Sequence, residues 1–208
     1  MFLTRWPKMT TLDLLPALIG FAFVSSITPG PNNLMLMASG ANFGLRRTLP
    51  HMLGVGIGFT AMIVAVGLGL NQVFTALPWA HLALEVFAVA YLLWLAWKIA
   101  TAAPKTPEAQ AAARPITFWQ AAAFQWVNPK AWMMVISALT FYAADQSLAA
   151  VLLVAAVFGA INLPCISVWT VLGQEMRRVL TSPARLRAFN WTMAALLILS
   201  LWPILKAF

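Results

Sequence analysis

From Leu14 to Leu45 the chain runs without a charged side chain. As one α-helix that stretch would reach about 48 Å at 1.5 Å per residue, whereas the hydrocarbon core of a bilayer is about 30 Å thick and takes about 20 apolar residues to cross. The run is long enough for a membrane span and too long for one straight helix inside it. Uncharged runs recur from Thr48 to Leu84 (with His51 and His81 neutral), from Gln146 to Gln174 and from Ala188 to Leu205. Hydrophobic residues make up 62% of the 208 and charged ones 9%, against roughly 25% charged in an average soluble domain. So few charges cannot wet the surface of a fold this small. The expected class is an all-α integral membrane protein forming a single membrane domain over 1–208.

With Asn71-Gln72 and Leu77-Pro78 as interruptions, the runs predict six spans near 12–45, 50–71, 79–100, 117–142, 147–172 and 186–206. Alternate loops then carry unequal positive charge. One side holds Arg46, Arg47, Lys98, Lys105, Arg114, Arg177, Arg178, Arg185 and Arg187; the other holds Arg5, Lys8 and Lys206. The richer side belongs in the cytoplasm, which puts both termini outside. Trp79, Trp97, Trp119 and Trp202, near span ends, suit interfacial anchoring. Arg5 and Lys8 resemble the start of a signal peptide, but no small-residue cleavage site follows and the apolar run is too long, while Met9 offers an alternative start.

The excess of 13 Lys+Arg over 5 Asp+Glu would suggest nucleic-acid binding in a soluble protein. Here the cations punctuate apolar runs instead of forming a face, and no nucleic-acid partner is expected. One cysteine, Cys165, excludes an intrachain disulfide, and His51 and His81 are too far apart for a metal motif. No metal or cofactor is called for. The absence of a G-x-x-x-x-G-K-[ST] loop argues against ATP-driven pumping by this chain alone. Gly54-Val-Gly-Ile-Gly58 falls inside a predicted span and reads as a helix-packing face rather than a nucleotide loop.

The first long run contains Thr28-Pro29-Gly30-Pro31-Asn32-Asn33, which removes two amide donors and adds a glycine. A continuous helix there is not expected. The fourth span carries a similar interruption at Asn128-Pro129-Lys130, and Pro29 and Pro129 stand 100 residues apart. Shifting the chain by about that interval lays the second span on the fifth and the third on the sixth. The expected architecture is a 3+3 inverted repeat with spans 1 and 4 broken at the proline motifs. Its halves are 12–100 and 117–208, joined by a cytoplasmic linker at 101–116. An odd number of spans per half inverts the second half. Such repeats build transporters, with the site where the broken helices meet.

Each break should start a half-helix within the bilayer. Asn128 suits an N-cap and Pro129 the first helical position, and Thr28 and Pro29 stand in the same relation. Helix starts present unpaired amides and a positive dipole end, a setting for an anion such as the carboxylate of an amino acid. Lys130 lies near the middle of a span, where a lysine costs roughly 2.5–3.5 kcal/mol on insertion scales. The bland alternative is snorkelling to the interface; the preferred reading is a cation facing an internal cavity, available to the substrate carboxylate or to an internal carboxylate. Glu85 is the second ionisable candidate, for pairing with Lys130, contacting a substrate ammonium or carrying a coupling proton. Its alternative is a carboxylate still wet at the interface. Asn32, Asn33, Gln125 and Asn162 offer neutral polar contacts, or helix–helix glue, and Pro164 two residues beyond Asn162 predicts a kink.

The segments S-S-I-T-P-G-P-N-N (25–33), A-Y-L-L-W-L-A-W-K-I-A (90–100) and F-Q-W-V-N-P-K-A-W (124–132) resemble the LysE/RhtB family of amino-acid exporters over nearly the whole chain. The pairing of T-P-G-P with N-P-K at this distance carries the likeness. Within the family, W-L-A-W-K-I-A-T (94–101) followed by P-I-T-F-W (115–119) looks most like the cysteine and O-acetylserine exporters. The resemblance implies a bacterial inner-membrane exporter driven by the proton motive force, with amino acids and protons as its partners. One deep carboxylate is little provision for a dibasic substrate; leucine, homoserine and threonine stay open, as does assembly into a homo-oligomer. Binding residues expected on this reading are Thr28, Pro29, Gly30, Pro31, Asn32, Asn33, Gln125, Asn128, Pro129 and Lys130. Two other classes remain. Ser25 or Ser26 with Lys130 could form a nucleophile and base of an intramembrane enzyme, although no catalytic signature supports it, and a channel or scaffold would share the composition.

Overall fold

The structure, a computed structural model, describes residues 14–70, 78–102, 114–143 and 147–202, without the side chains at 70, 78–82, 84 and 85. The described residues are helical, with no strand among them. The helices are α1 (Leu15–Ile27), α2 (Pro31–Phe43), α3 (Leu45–Ala65), α4 (Pro78–Ala100), α5 (Phe118–Phe124), α6 (Pro129–Tyr142), α7 (Leu148–Met176) and α8 (Pro183–Leu199). A π-helical turn, Val66–Leu70, extends α3, and a 3₁₀ turn, Gln125–Val127, follows α5. The apolar helical stretches Leu45–Gly69 and Leu148–Met176, of 25 and 29 residues, are long and apolar enough to cross a membrane. Most of the linker placed at 101–116 lies outside the described residues, as do Asn71-Gln72, Asp145 and both chain ends.

Proline sets where the helices stop. The ring of a proline disfavours the helical region for the residue before it. Thr28, ahead of Pro29, has ψ 144°, Gly30, ahead of Pro31, has ψ 178°, and Asn128, ahead of Pro129, has ψ 110°. The chain between α1 and α2 is therefore extended from Thr28 to Gly30, and helix resumes at Pro31, whose missing amide costs nothing at a first helical position. This corrects one expectation. Thr28 does not cap a helix beginning at Pro29; it is the C-cap of α1, and α2 starts two residues later with Gly30 as its N-cap. Two prolines in alternation moved the restart to the second. Asn128 caps as expected, its side chain accepting the Lys130 amide at 3.1 Å. Pro164 does not interrupt α7, which runs through it.

α1 and α2 have 13 residues each and α6 has 14, so each is about 20 Å long and too short to cross a 30 Å core alone. Between α2 and α3 the chain reverses in one residue, Gly44, at φ 79°, a left-handed conformation that favours glycine. The first free amide of α3, that of Leu45, donates to Gln174 Oε1 of α7 at 2.7 Å.

α7 is the spine of the molecule and packs against α1, α2 and α3; α3 also packs on α5, and α4 on α8. The tightest of these contacts run backbone to backbone. A Cβ at Gly40 would strike the Thr170 carbonyl oxygen, and one at Gly173 would strike that of Met37, so α2 and α7 approach only because both positions are glycine. Gly54 and Gly58 likewise lie against Phe118 and Ala122 of α5, the packing role read from their spacing. One apolar core gathers Leu92, Leu95, Met193 and Leu197 of α4 and α8 with α2, and another gathers Leu18, Phe59, Val135 and Phe158 of α1, α3, α6 and α7. Asn42 and Asn190 exchange amide hydrogen bonds of 2.8 and 3.1 Å between α2 and α8. Outward, Phe23, Ile57, Trp97, Trp119 and Leu199 are exposed, a surface suited to lipid.

Candidate functional site

The end of α1 and the starts of α2 and α6 converge on one small polar cavity beside the middle of α7. Its polar wall comes from Ser25, Ser26, Asn32, Asn33, Asn128, Lys130 and Asn162, and Phe59, Met134 and Ile166 close the apolar side. The open space at its centre is about 20 Å³, room for one water.

A broken helix exposes its last carbonyls; here Ser25 O accepts from the Thr28 hydroxyl at 3.1 Å, and the carbonyls beyond it find donors from other elements. Trp169 of α7 donates its indole N–H to Ile27 O at 3.0 Å. Asn33 of α2 donates Nδ2 to Ser26 O at 2.9 Å and to Thr28 O at 2.7 Å. Lys130 of α6 donates Nζ to Thr28 O at 2.6 Å, to Thr28 Oγ1 at 3.0 Å and to Pro29 O at 3.3 Å. The ammonium thus sits at the negative end of α1, where a cation is favoured. Its stem crosses Gly30: a Cβ there would lie 2.5 Å from Lys130 Cδ. Gly30 has φ −174°, open to any residue, so a side chain there would act by displacing the lysine stem.

The helix starts differ from the helix end. Lys130's own amide is capped by Asn128, but α2 has glycine at its N-cap and no side-chain cap. The carbonyls at the end of α1 are filled, whereas no side chain caps the first turn of α2. Asn32 and Gln125 tie the two breaks together by exchanging amide bonds of 2.8 and 3.1 Å, and Gln125 also donates to Ala121 O at 2.8 Å. Asn162 donates Nδ2 to Ser26 Oγ at 3.2 Å, yet its Oδ1 is buried without a partner. A buried acceptor left unmatched costs about 1–3 kcal/mol.

Of the residues predicted from sequence, Gly30, Asn32, Asn33, Asn128 and Lys130 line the cavity. Thr28 and Pro29 hold Lys130 from behind, Gln125 braces Asn32, and Pro31 and Pro129 start their helices. Lys130 is half-buried, and its ammonium turns toward the break. Glu85 lies on α4, and its side chain is outside the described residues. Arg178 and Glu175 form an exposed ion pair at 3.1 Å, whereas Lys130 meets backbone oxygens and a hydroxyl. Neither serine meets Lys130: Ser25 Oγ donates to Phe21 O at 2.5 Å and Ser26 Oγ accepts from Asn162. Phe59, Met134, Ile166 and Trp169 were not foreseen. An apolar residue in an apolar span carries no signal of which way it faces, and a span-end tryptophan reads as an anchor.

A family model described as LysE type translocator matches residues 23–200. Among curated proteins, the cysteine/O-acetylserine efflux proteins of Klebsiella pneumoniae and Escherichia coli are 31% and 30% identical to the chain over 194 residues, covering 90% of it and 95% of theirs. That of Shigella flexneri is 30% identical over 191 residues, 89% of this chain and 94% of its own. No solved structure matches the chain.

Proposed function

Because the chain belongs to the LysE type translocator family, we propose that it is a secondary exporter of amino acids or close derivatives across the bacterial inner membrane, the family assignment making it a transporter and not an enzyme. One observation carries the reading: a lysine ammonium and the uncapped start of α2 converge on a small, partly open polar cavity between two interrupted helices. A carboxylate entering that cavity meets first-turn amides of α2, a positive dipole end and Lys130. Cysteine and O-acetylserine are the substrates named for the relatives, and both are small enough for a modest opening of this pocket.

In this reading α1 with α2 and α5 with α6 each make one span in series, giving six spans with both ends in the periplasm. The packing supports an inverted repeat: α1 lies against α7 as α5 lies against α3, the pairing that exchange of the two halves requires. One pair departs from it. α2 is locked onto α7 through Gly40 and Gly173, whereas its counterpart α6 touches α3 only lightly. Rocking would exchange these two contacts around the cavity, with α6 closing on α3 as α2 leaves α7. The proton motive force supplies the energy, and Glu85 is the proposed proton carrier.

The test is uptake into everted membrane vesicles. Labelled cysteine or O-acetylserine should accumulate when a proton gradient is present and not when it is collapsed. Lys130→Ala should insert normally and lose this uptake; uptake at the normal rate removes the central cation from the mechanism. Trans-stimulation by unlabelled substrate is expected of a carrier, and its absence would favour a channel.

A further inference from the structure

The apolar lining of the cavity is stiff in two places and adaptable in a third. Phe59 of α3 and Ile166 of α7 line it and are almost wholly buried. The Phe59 ring meets Phe158 edge-on at 5.6 Å, and Phe158 meets Phe21 in the same way at 6.0 Å, so it has a packed aromatic row behind it. Ile166 is branched at Cβ and stiff at its first torsion. Met134 of α6 completes the lining and shares an apolar cluster with Phe59. Its unbranched thioether changes shape easily and fills irregular gaps, and it stands on the helix that α3 touches only lightly.

Met134 follows Lys130 by four residues on α6, a spacing that puts both on one helix face, about 6 Å apart along the axis. Both line the cavity. A carboxylate held between Lys130 and the start of α2 therefore leaves the substituent on its α-carbon to be received one turn along α6. We infer that Met134, working against the fixed ring of Phe59, forms the subsite for the substrate's side chain and is the residue that sets which side chains are exported. The inference rests on the export reading and adds selectivity within it. The open space is about 20 Å³, so a side chain enters only by moving part of the lining. Phe59 and Ile166 would have to push packed neighbours aside, whereas Met134 yields by changing rotamer. O-acetylserine carries an acetyl ester where cysteine carries a thiol, and an adaptable wall lets one site seat both.

The experiment measures uptake of labelled cysteine (under reducing conditions), O-acetylserine and leucine, each alone, into everted vesicles with a proton gradient. It compares the wild type with Met134→Ala, Met134→Phe and Met133→Ala; Met133 is 63% exposed and outside the cavity lining. Met134→Ala removes Cγ, Sδ and Cε. It should raise uptake of leucine relative to cysteine at least about tenfold, since one methylene in an apolar pocket is worth about 10–200-fold in discrimination. Met134→Phe, bulkier and stiffer, should lower O-acetylserine relative to cysteine on the same scale, and Met133→Ala should keep the wild-type ratios. A methionine that only fills space would, when replaced, weaken uptake of every substrate in proportion or leave the ratios alone, and either result overturns the assignment. So would an equal change of ratio in Met133→Ala. Wild-type vesicles that accumulate none of the three sink the export reading and the subsite with it; wild-type accumulation with ratios indifferent to Met134 sinks the subsite alone.

Discussion

Gly30→Ala isolates the contact between Lys130 and the break. The backbone at this position is extended and accepts alanine without strain, so any effect must come through what the new methyl touches. It would lie 2.5 Å from Lys130 Cδ, 3.4 Å from Cε and 3.2 Å from Nζ, with no other group as near. The lysine stem is flexible and will yield, which moves the ammonium off Thr28 and Pro29. Hydrogen bonds to a charged group are worth about 1.5–3 kcal/mol each. Lys130 is half-exposed and keeps alternatives in the cavity, so a net loss of about 1–2 kcal/mol is expected. The assay is a double-mutant cycle on unfolding of the detergent-solubilised protein, with Gly30→Ala, Lys130→Ala and the pair. Once Lys130 is truncated the methyl has nothing to displace, and its cost should vanish, giving a coupling energy of about 1 kcal/mol or more. Additive effects would mean that the lysine does not cross Gly30, and the account of the break would be wrong.

Gly173→Ala should destabilise by about 1–3 kcal/mol or more, because its methyl meets the Met37 backbone and cannot be accommodated by a rotamer change; Gly20→Ala, with nothing within 4 Å, should cost nothing in the same thermal-unfolding measurement. Asn42→Leu should lose about 1–2 kcal/mol by stranding the Asn190 amide, and the double substitution to leucine should recover most of it. His51 is fully buried with neither ring nitrogen bonded. His51→Leu should therefore raise the unfolding temperature and leave export intact, and loss of export in that variant would make the imidazole a working proton site.

The α-helical class, the places where two helices fail and the polar residues around them were legible in the sequence because their causes are local. Charge is excluded from lipid-facing runs by solvation, and a proline acts on its own residue and the one before it. What the sequence concealed was the polarity of the first break. T-P-G-P offers two prolines that could each begin a helix, and the choice between them decides whether Thr28 caps a start or closes an end. With the restart at Pro31, Thr28 and Pro29 present carbonyl oxygens to the Lys130 ammonium. Lys130, expected to meet a substrate carboxylate or an internal one, then has backbone acceptors at 2.6–3.3 Å. Asn162 shows the same limit. Its amide in an apolar span announced a polar contact, but only the fold reveals that one end is met by Ser26 while the other is buried without a partner. A helix end filled by the protein's own ammonium lies beside a helix start that no side chain caps, a setting that favours an anion. On the proposed reading Lys130 is the fixed charge that meets a substrate carboxylate there, so removing it should abolish export instead of merely loosening its selectivity; a Lys130→Ala protein that exports several substrates at the normal rate would refute that role.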